Sequence, residues 1–311
     1  MSFYSTFDED QSYKVESRFM GDDGAVAIMA EAVDFEEQIT LDMLKSDYLE
    51  TKAIKESATE EELAAISEGT VADIAKKIKD FFIKLGKRIK DFVLGWIARI
   101  RAKLTSDNKA FYNKYKNQVA NADDMEVEYR KVANLSAFKG GKDEDTVSYL
   151  INQYKINEFK DGADVNAVEE VEIDEDALKD EAASKFFGFK VEFKDLKKNV
   201  EEHAYTDSEK TEVKFKEIKN EVTNLLTNGD SALKDIEKMG KHTDDVCKKT
   251  AADASKAAKS SRVAQRYSKV CSIYGTVVSK AVGAVASIYK EQLSQARTTF
   301  AKAVQYKPKE D

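Results

Sequence analysis

Few residues in this chain could do chemistry, and their spacing does not suit them for it. The two histidines, His203 and His242, stand apart in charged stretches, and no HExxH pairs them for zinc. The two cysteines, Cys247 and Cys271, add no metal-ligand spacing to them. No GxxxxGK[ST], GxGxxG or GxSxG is present, and Gly140-Gly141-Lys142-Asp143 only echoes a phosphate loop. Asp161, Asp164 and Asn166 lack the sixth-position glycine and later bidentate glutamate of a calcium loop. Paired carboxylates abound in an acidic chain and single out nothing. These residues therefore predict a non-enzyme with no catalytic residue, no cofactor, no metal and no small-molecule substrate.

What elements would hold such residues follows from composition. Charged residues make up 35% of the 311 and apolar ones 42%; globular domains average about 25% and about 45–50%. The only proline is Pro308. Proline lacks the amide hydrogen and clashes with the preceding turn, so a chain without it can run in long helices. The thirteen glycines are also few for a β-sandwich with its many turns. The expected fold is mainly α: an elongated multi-helix bundle with one long amphipathic helix, a C-terminal helical hairpin and a small two-stranded β element. The cysteines read as small buried apolar residues, with a redox bridge as the other reading.

Charge is segregated along the chain. Residues 1–69 are net −13, 70–104 net +7, 105–230 net −10 and 231–311 net +8. Blocks of opposite sign can neutralise one another, or present a surface to an anionic partner. Four regions are expected: an acidic N-terminal arm with helices (1–69), a long basic amphipathic helix (70–104), mixed α with short strands (105–212) and the helical hairpin (213–311).

Within these regions, apolar spacing places a helical face over 25–57. Thr59 and Glu62 form a capping-box pattern for a short helix that Gly69 ends. Ser106 or Asp107 caps another helix. Met125, Val127 and Tyr129 alternate with charged residues, as a strand does, and Phe189, Val191 and Phe193 form its expected partner. Helices are expected over 143–154 and over 175–187, the latter closed by Gly188, with an acidic linker at 160–176 between them. Another begins near Val213, stops at Asn228-Gly229 and restarts at Asp230 or Ser231. A turn near Ser260 leads into a final helix over 262–305 and brings Cys247 near Cys271. Gly275, Ser279 and Gly283 line one side of that helix and permit close approach.

The strongest signal lies in 70–104. Ile74, Ile78, Phe81, Phe82, Leu85, Ile89, Val93, Trp96, Ile97 and Ile100 recur at threes and fours, a single helical stripe on a rod about 50 Å long. Thr70 can cap it, and Gly86 and Gly95 give it places to bend. Opposite the stripe lie basic residues, among them Lys76, Lys77, Lys84, Lys87, Arg88, Arg99 and Arg101. With Trp96 they form the candidate partner-binding surface. Two readings compete. In one, the stripe packs in the core and the cations face water. In the other, the helix lies in a lipid interface or on an acidic partner. No nucleic-acid recognition motif accompanies the charge.

The order of elements also carries a resemblance. AVAIMAEAVDFEEQITLDML leads to IAKKIKDFFIKLGKRIKDFVLGWIARIRAKL, then SDNKAFYNKYKNQV, VEYRKVANLSAF, VEFKDLKKNVEEHAY and a terminal helix with QLSQARTTFAKAV. This layout resembles the virion structural or internal head proteins of large contractile-tailed bacteriophages. The resemblance implies a non-enzymatic virion component made in the host bacterial cytoplasm, its partners other virion proteins or copies of itself. A membrane-active protein that inserts 70–104 into an anionic lipid surface is the first alternative, and a head protein contacting packaged DNA the second. Ile66-Ser67-Glu68-Gly69 is similar to a prohead-protease cleavage site. MSFYSTFDEDQSYKVESRF has no basic stretch followed by an apolar run, and no uncharged apolar stretch approaches membrane-spanning length, so neither a secretory signal nor a membrane span is expected.

Overall fold

The computed structural model describes residue 30, residue 34, and residues 60–100, 106–132, 142–160, 173–207, 209–257 and 261–307. Over these the chain is mainly α, with one small antiparallel sheet. The elements are α1 (Glu60–Ile100), α2 (Ser106–Tyr115), β1 (Glu126–Tyr129), α3 (Asp143–Gln153), α4 (Ile156–Lys160) and α5 (Glu175–Phe187). They continue with α6 (Leu196–Ala204), β2 (Thr211–Lys214), α7 (Phe215–Ala257) and α8 (Ser261–Gln305).

Three long helices make the frame. The α1 stripe is buried at Ile74, Ile78, Phe81, Phe82, Leu85, Ile89, Val93 and Ile97, and it packs on α7 and α8. Gly86 meets α7 at Asp244 and Cys247, and Val93 meets Gly240, so α1 and α7 run antiparallel. α7 and α8 form the expected hairpin, with the expected turn at 258–260 outside the described residues.

The gathering element is α8. Its middle is buried on every side, from Val270 through Val285 with few exceptions, and it touches α1, α2, α3, α4, α5, α6, α7 and β1. Gly275, Ser279 and Gly283 are all buried there. A helix apolar all round is stable in water only when other elements cover each face, and the shorter helices supply that cover. Down its length α8 meets the C-terminal end of α3 (Arg266 to the Tyr154 carbonyl, 2.8 Å) and the stretch before α6 (Lys280 to the Phe193 carbonyl, 2.5 Å). At its far end Phe300 packs on Phe111 and Tyr112 of α2 at ring distances of 5.6 and 5.3 Å.

Several boundaries differ from the sequence reading. α1 begins at Glu60 and runs through Gly69, so the short helix ending at Gly69 and the start at Thr70 are one helix, and the Ile66–Gly69 tetrapeptide lies inside it. α7 likewise passes through Asn228-Gly229 without a stop. A helical glycine costs about 1 kcal/mol relative to alanine. Leu225, Leu226, Leu233, Ile236 and Met239 continue the buried stripe across the glycine and outweigh that cost. Gly86 is a place of close approach: an added Cβ would lie 2.6 Å from the Cβ of Cys247.

β1 forms where alternation predicted it, but its partner is β2, in register Glu126–Lys214 to Tyr129–Thr211. The expected strand at 189–193 does not form. Its polar backbone groups are taken by side chains of α5: the Val191 N–H donates to Ser184 Oγ, Ser184 Oγ donates to the Val191 carbonyl, and the Phe193 N–H donates to Asp180 Oδ1. A backbone satisfied in this way has no need of a strand ladder. α5 itself follows its signals, with Asp174 capping the amides of Asp176 and Ala177 and Gly188 closing it at φ 76°. The helical face expected over 25–57 and the acidic linker fall mainly outside the described residues, apart from Ala30 and Asp34, which are helical, and the linker's ends, where Lys160 closes α4 and 173–176 lead into α5.

Candidate functional site

Three places in the fold concentrate polar chemistry: a ridge on α1, a junction buried between α3, α7 and α8, and a centre between the sheet and α8.

The ridge consists of Lys76, Lys77, Lys79, Lys84, Lys87 and Arg88, all exposed along the side of α1 that faces away from α7 and α8. Three exposed carboxylates, Asp73, Asp80 and Asp91, share the surface and leave it net basic. Because the apolar stripe is turned inward, the ridge offers water chiefly charge, and among the described residues Ile83 is the exposed large hydrophobe. Of the residues predicted to bind a partner, Lys76, Lys77, Lys84, Lys87 and Arg88 are therefore brought together on one face. The side chains of Trp96 and Arg99, and Arg101 as a whole, lie outside the described residues. Lys90 departs from the ridge. It bends toward α7 and donates to Asp244 Oδ2 at 2.8 Å, as Lys248 does from the other side. Burial pushes the Asp244 carboxyl up, but the bonds from Lys248 and Lys90 more than offset this and hold it below the usual range.

The junction was not visible in the sequence. Asp143, the first residue of α3, is fully buried. Its Oδ1 accepts from Thr243 of α7 at 3.1 Å and from Tyr274 of α8 at 2.5 Å. Its Oδ2 is buried without a partner. The Cys247 thiol lies beside the Tyr274 hydroxyl. The rim of the junction is the His242–Glu144 contact at 2.8 Å. Removal from water pushes the Asp143 carboxyl up to about 6, because the bonds from Tyr274 and Thr243 and the field of His242 offset only part of the cost of burying the charge. The same burial pushes the thiols of Cys247 and Cys271 well up. Both thiols are free and buried. In the sequence Asp143 ends the Gly-Gly-Lys-Asp echo and opens the helix expected over 143–154, and nothing there marks it for burial. His242 is half-exposed and tied to Glu144, and His203 is exposed and stacks on Phe189 at 3.9 Å.

A third polar centre ties the sheet to α8. Arg130, directly after β1, is buried, with its guanidinium 4.0 Å over the Tyr205 ring and its Nε donating to the Asp207 carbonyl. Gln295 of α8 accepts from the Arg130 N–H at 3.3 Å and donates to the Arg130 carbonyl at 3.1 Å. This is an anchor, with every polar contact made inside the molecule.

Among the described residues no group of three or more His, Cys, Asp or Glu side chains is placed to hold a metal ion. The stretch Gln265–Gln305 of α8 is long and apolar enough to cross a membrane, and 83% of its apolar window is buried inside the molecule, as in the core helix of a bundle. The chain matches no family model, no curated protein and no solved structure.

Proposed function

We propose that this protein is a non-enzymatic assembly component, of the virion structural or internal head class its sequence layout resembles, that docks on an anionic protein surface through the basic ridge of α1. One observation carries the reading. α1 is amphipathic, and its apolar half is buried against α7 and α8, so its exposed face carries a row of cations at helical spacing. Such a row attracts a surface of opposite charge and sets the rate and orientation of encounter. Charge of the suitable sign is present in other copies of this chain, whose residues 1–69 and 105–230 are net acidic.

The burial of Phe81, Phe82, Ile89 and Val93 weighs against the lipid-inserting alternative. An interfacial helix must offer its apolar face to the acyl boundary, and here that would require α1 to leave the bundle. Packaged DNA would meet the same cations as phosphates, without base readout.

Mass spectrometry of purified particles tests the virion assignment, with the protein expected at a fixed copy number; its absence from particles would end that assignment. Charge reversal at Lys76, Lys84 and Lys87 tests the ridge. The full-length variant is expected to fold normally and to lose incorporation, and undiminished incorporation would remove the ridge from the account.

A further inference from the structure

The geometry of the α3–α7–α8 junction goes beyond the ridge. We propose that Asp143 is an acid-closed latch: its neutral carboxyl holds the N-terminal end of α3 between α7 and α8, and its ionisation loosens α3 from the bundle.

The case rests on placement. Asp143 lies where three chain segments meet, with no exposed surface. α3 is joined there by side-chain bonds to Thr243 and Tyr274, while the Lys142 N–H donates to the Phe186 carbonyl at the end of α5. An ionised carboxylate in such a place needs donors on both oxygens, and Oδ2 has none. The neutral acid fits better. Thr243 Oγ is within reach of both Asp143 Oδ1 (3.1 Å) and the Met239 carbonyl (3.1 Å) but carries one hydrogen. When Asp143 is protonated it donates to Thr243, and Thr243 donates on to Met239. When it is ionised, Thr243 must turn to it and leave Met239.

No cation sits close enough to replace the proton. From α7 the junction is faced by His242, Thr243, Asp244 and Cys247, and from α8 by Tyr274 and Cys271. Glu144 of α3 takes up His242. Lys90 of α1 and Lys248 are committed to Asp244. Lys142 carries its ammonium toward Gly188. Among the described residues the basic group left near the junction is therefore the His242 ring on the rim, already paired with Glu144.

The sign follows from linkage. The carboxyl ionises near 3.8 when exposed and near 6 when docked. Docking is therefore strongest below the lower value, weakens as pH rises between the two, and stays weak above the upper one. Between pH 5 and pH 8 the opening equilibrium of α3 rises about tenfold.

Hydrogen exchange on the full-length protein tests this, with α3 amide protection corrected for the intrinsic pH dependence of exchange. Protection over 147–153 is expected to fall about tenfold from pH 5 to pH 8 and to stay level in Asp143→Asn, which keeps both hydroxyl contacts without the charge. Level protection in the parent protein, or an equal fall in Asp143→Asn, overturns the latch. His242→Gln must retain the fall; if it abolishes the fall, the histidine is the switch and the proposal fails. Should Asp143→Asn not fold, Tyr274→Phe serves. It removes a donor that favours the charged form, so the fall must extend to higher pH, and an unextended profile also overturns the latch.

Discussion

Gly86 of α1 lies so close to Cys247 of α7 that a β-carbon on it would sit 2.6 Å from the Cys247 Cβ and 3.0 Å from the Asp244 Cα. The approach brings the two helices together at the level of the buried junction. Gly86→Ala should therefore force α1 away from α7 and lower stability by about 1–3 kcal/mol, the range for overpacking. Cys247→Ser should give no relief, because the conflict is with the Cβ and the backbone. Gly95 meets nothing within 4 Å, so Gly95→Ala should stabilise by about 0.5–1 kcal/mol through helix propensity. Thermal denaturation of the three variants checks the contrast, and equal effects at Gly86 and Gly95 would contradict the close packing.

Gln295 imitates a strand by bonding both backbone groups of Arg130. Replacing it with leucine, of similar size, should cost about 1–3 kcal/mol, since two backbone groups lose their partners. The loss should show first as faster exchange of the Arg130 amide. Unchanged exchange there would mean that water substitutes freely.

Neither thiol should react in the native protein. Cys247 and Cys271 are fully buried, and burial holds both well above the ordinary thiol range. A thiol reagent at pH 8 should label neither without denaturant and both with it. Labelling of Cys247 ahead of Cys271 under native conditions would point to opening at the α3 face.

Asp244 and Asp143 should answer to acid in opposite senses. The Asp244 carboxyl is held low by Lys248 and Lys90 against its burial. Its contribution is present above the unfolded value near 3.8 and disappears as pH falls through the folded value. Asp244→Asn should thus lower the melting temperature at pH 7 and approach the parent at strongly acid pH. A constant deficit across that range would show that packing, and not the paired charge, is what matters.

The ridge should be dispensable for folding. Lys76, Lys84 and Lys87 are exposed, and single surface substitutions usually change stability by less than about 0.5 kcal/mol. Changing all three to glutamine should leave the melting temperature nearly unaltered while weakening, in a salt-dependent way, whatever anionic surface the protein binds. Binding that is lost to the same extent at low and high salt would argue for an apolar contact instead.

The amino-acid sequence by itself determined the helical class, the stripe on α1, the hairpin of α7 and α8, and the ends of α5, because periodicity, missing proline and capping residues act over a few neighbouring positions. It also determined which cations could share the outer face of α1, since that follows from helical spacing alone. Only the tertiary structure decided that Gly69 and Gly229 lie within helices; at Gly229, packing along the stripe outweighs a local propensity of about 1 kcal/mol. The same holds for the pairing of β1 with β2, where the Ser184 and Asp180 side chains had already claimed the backbone of 191–193. The Asp143 junction was the least legible feature. Its members Asp143, Thr243 and Tyr274 are separated by 100 and 131 residues. Nothing about an aspartate in an acidic chain shows that it will be buried until the helices around it have closed.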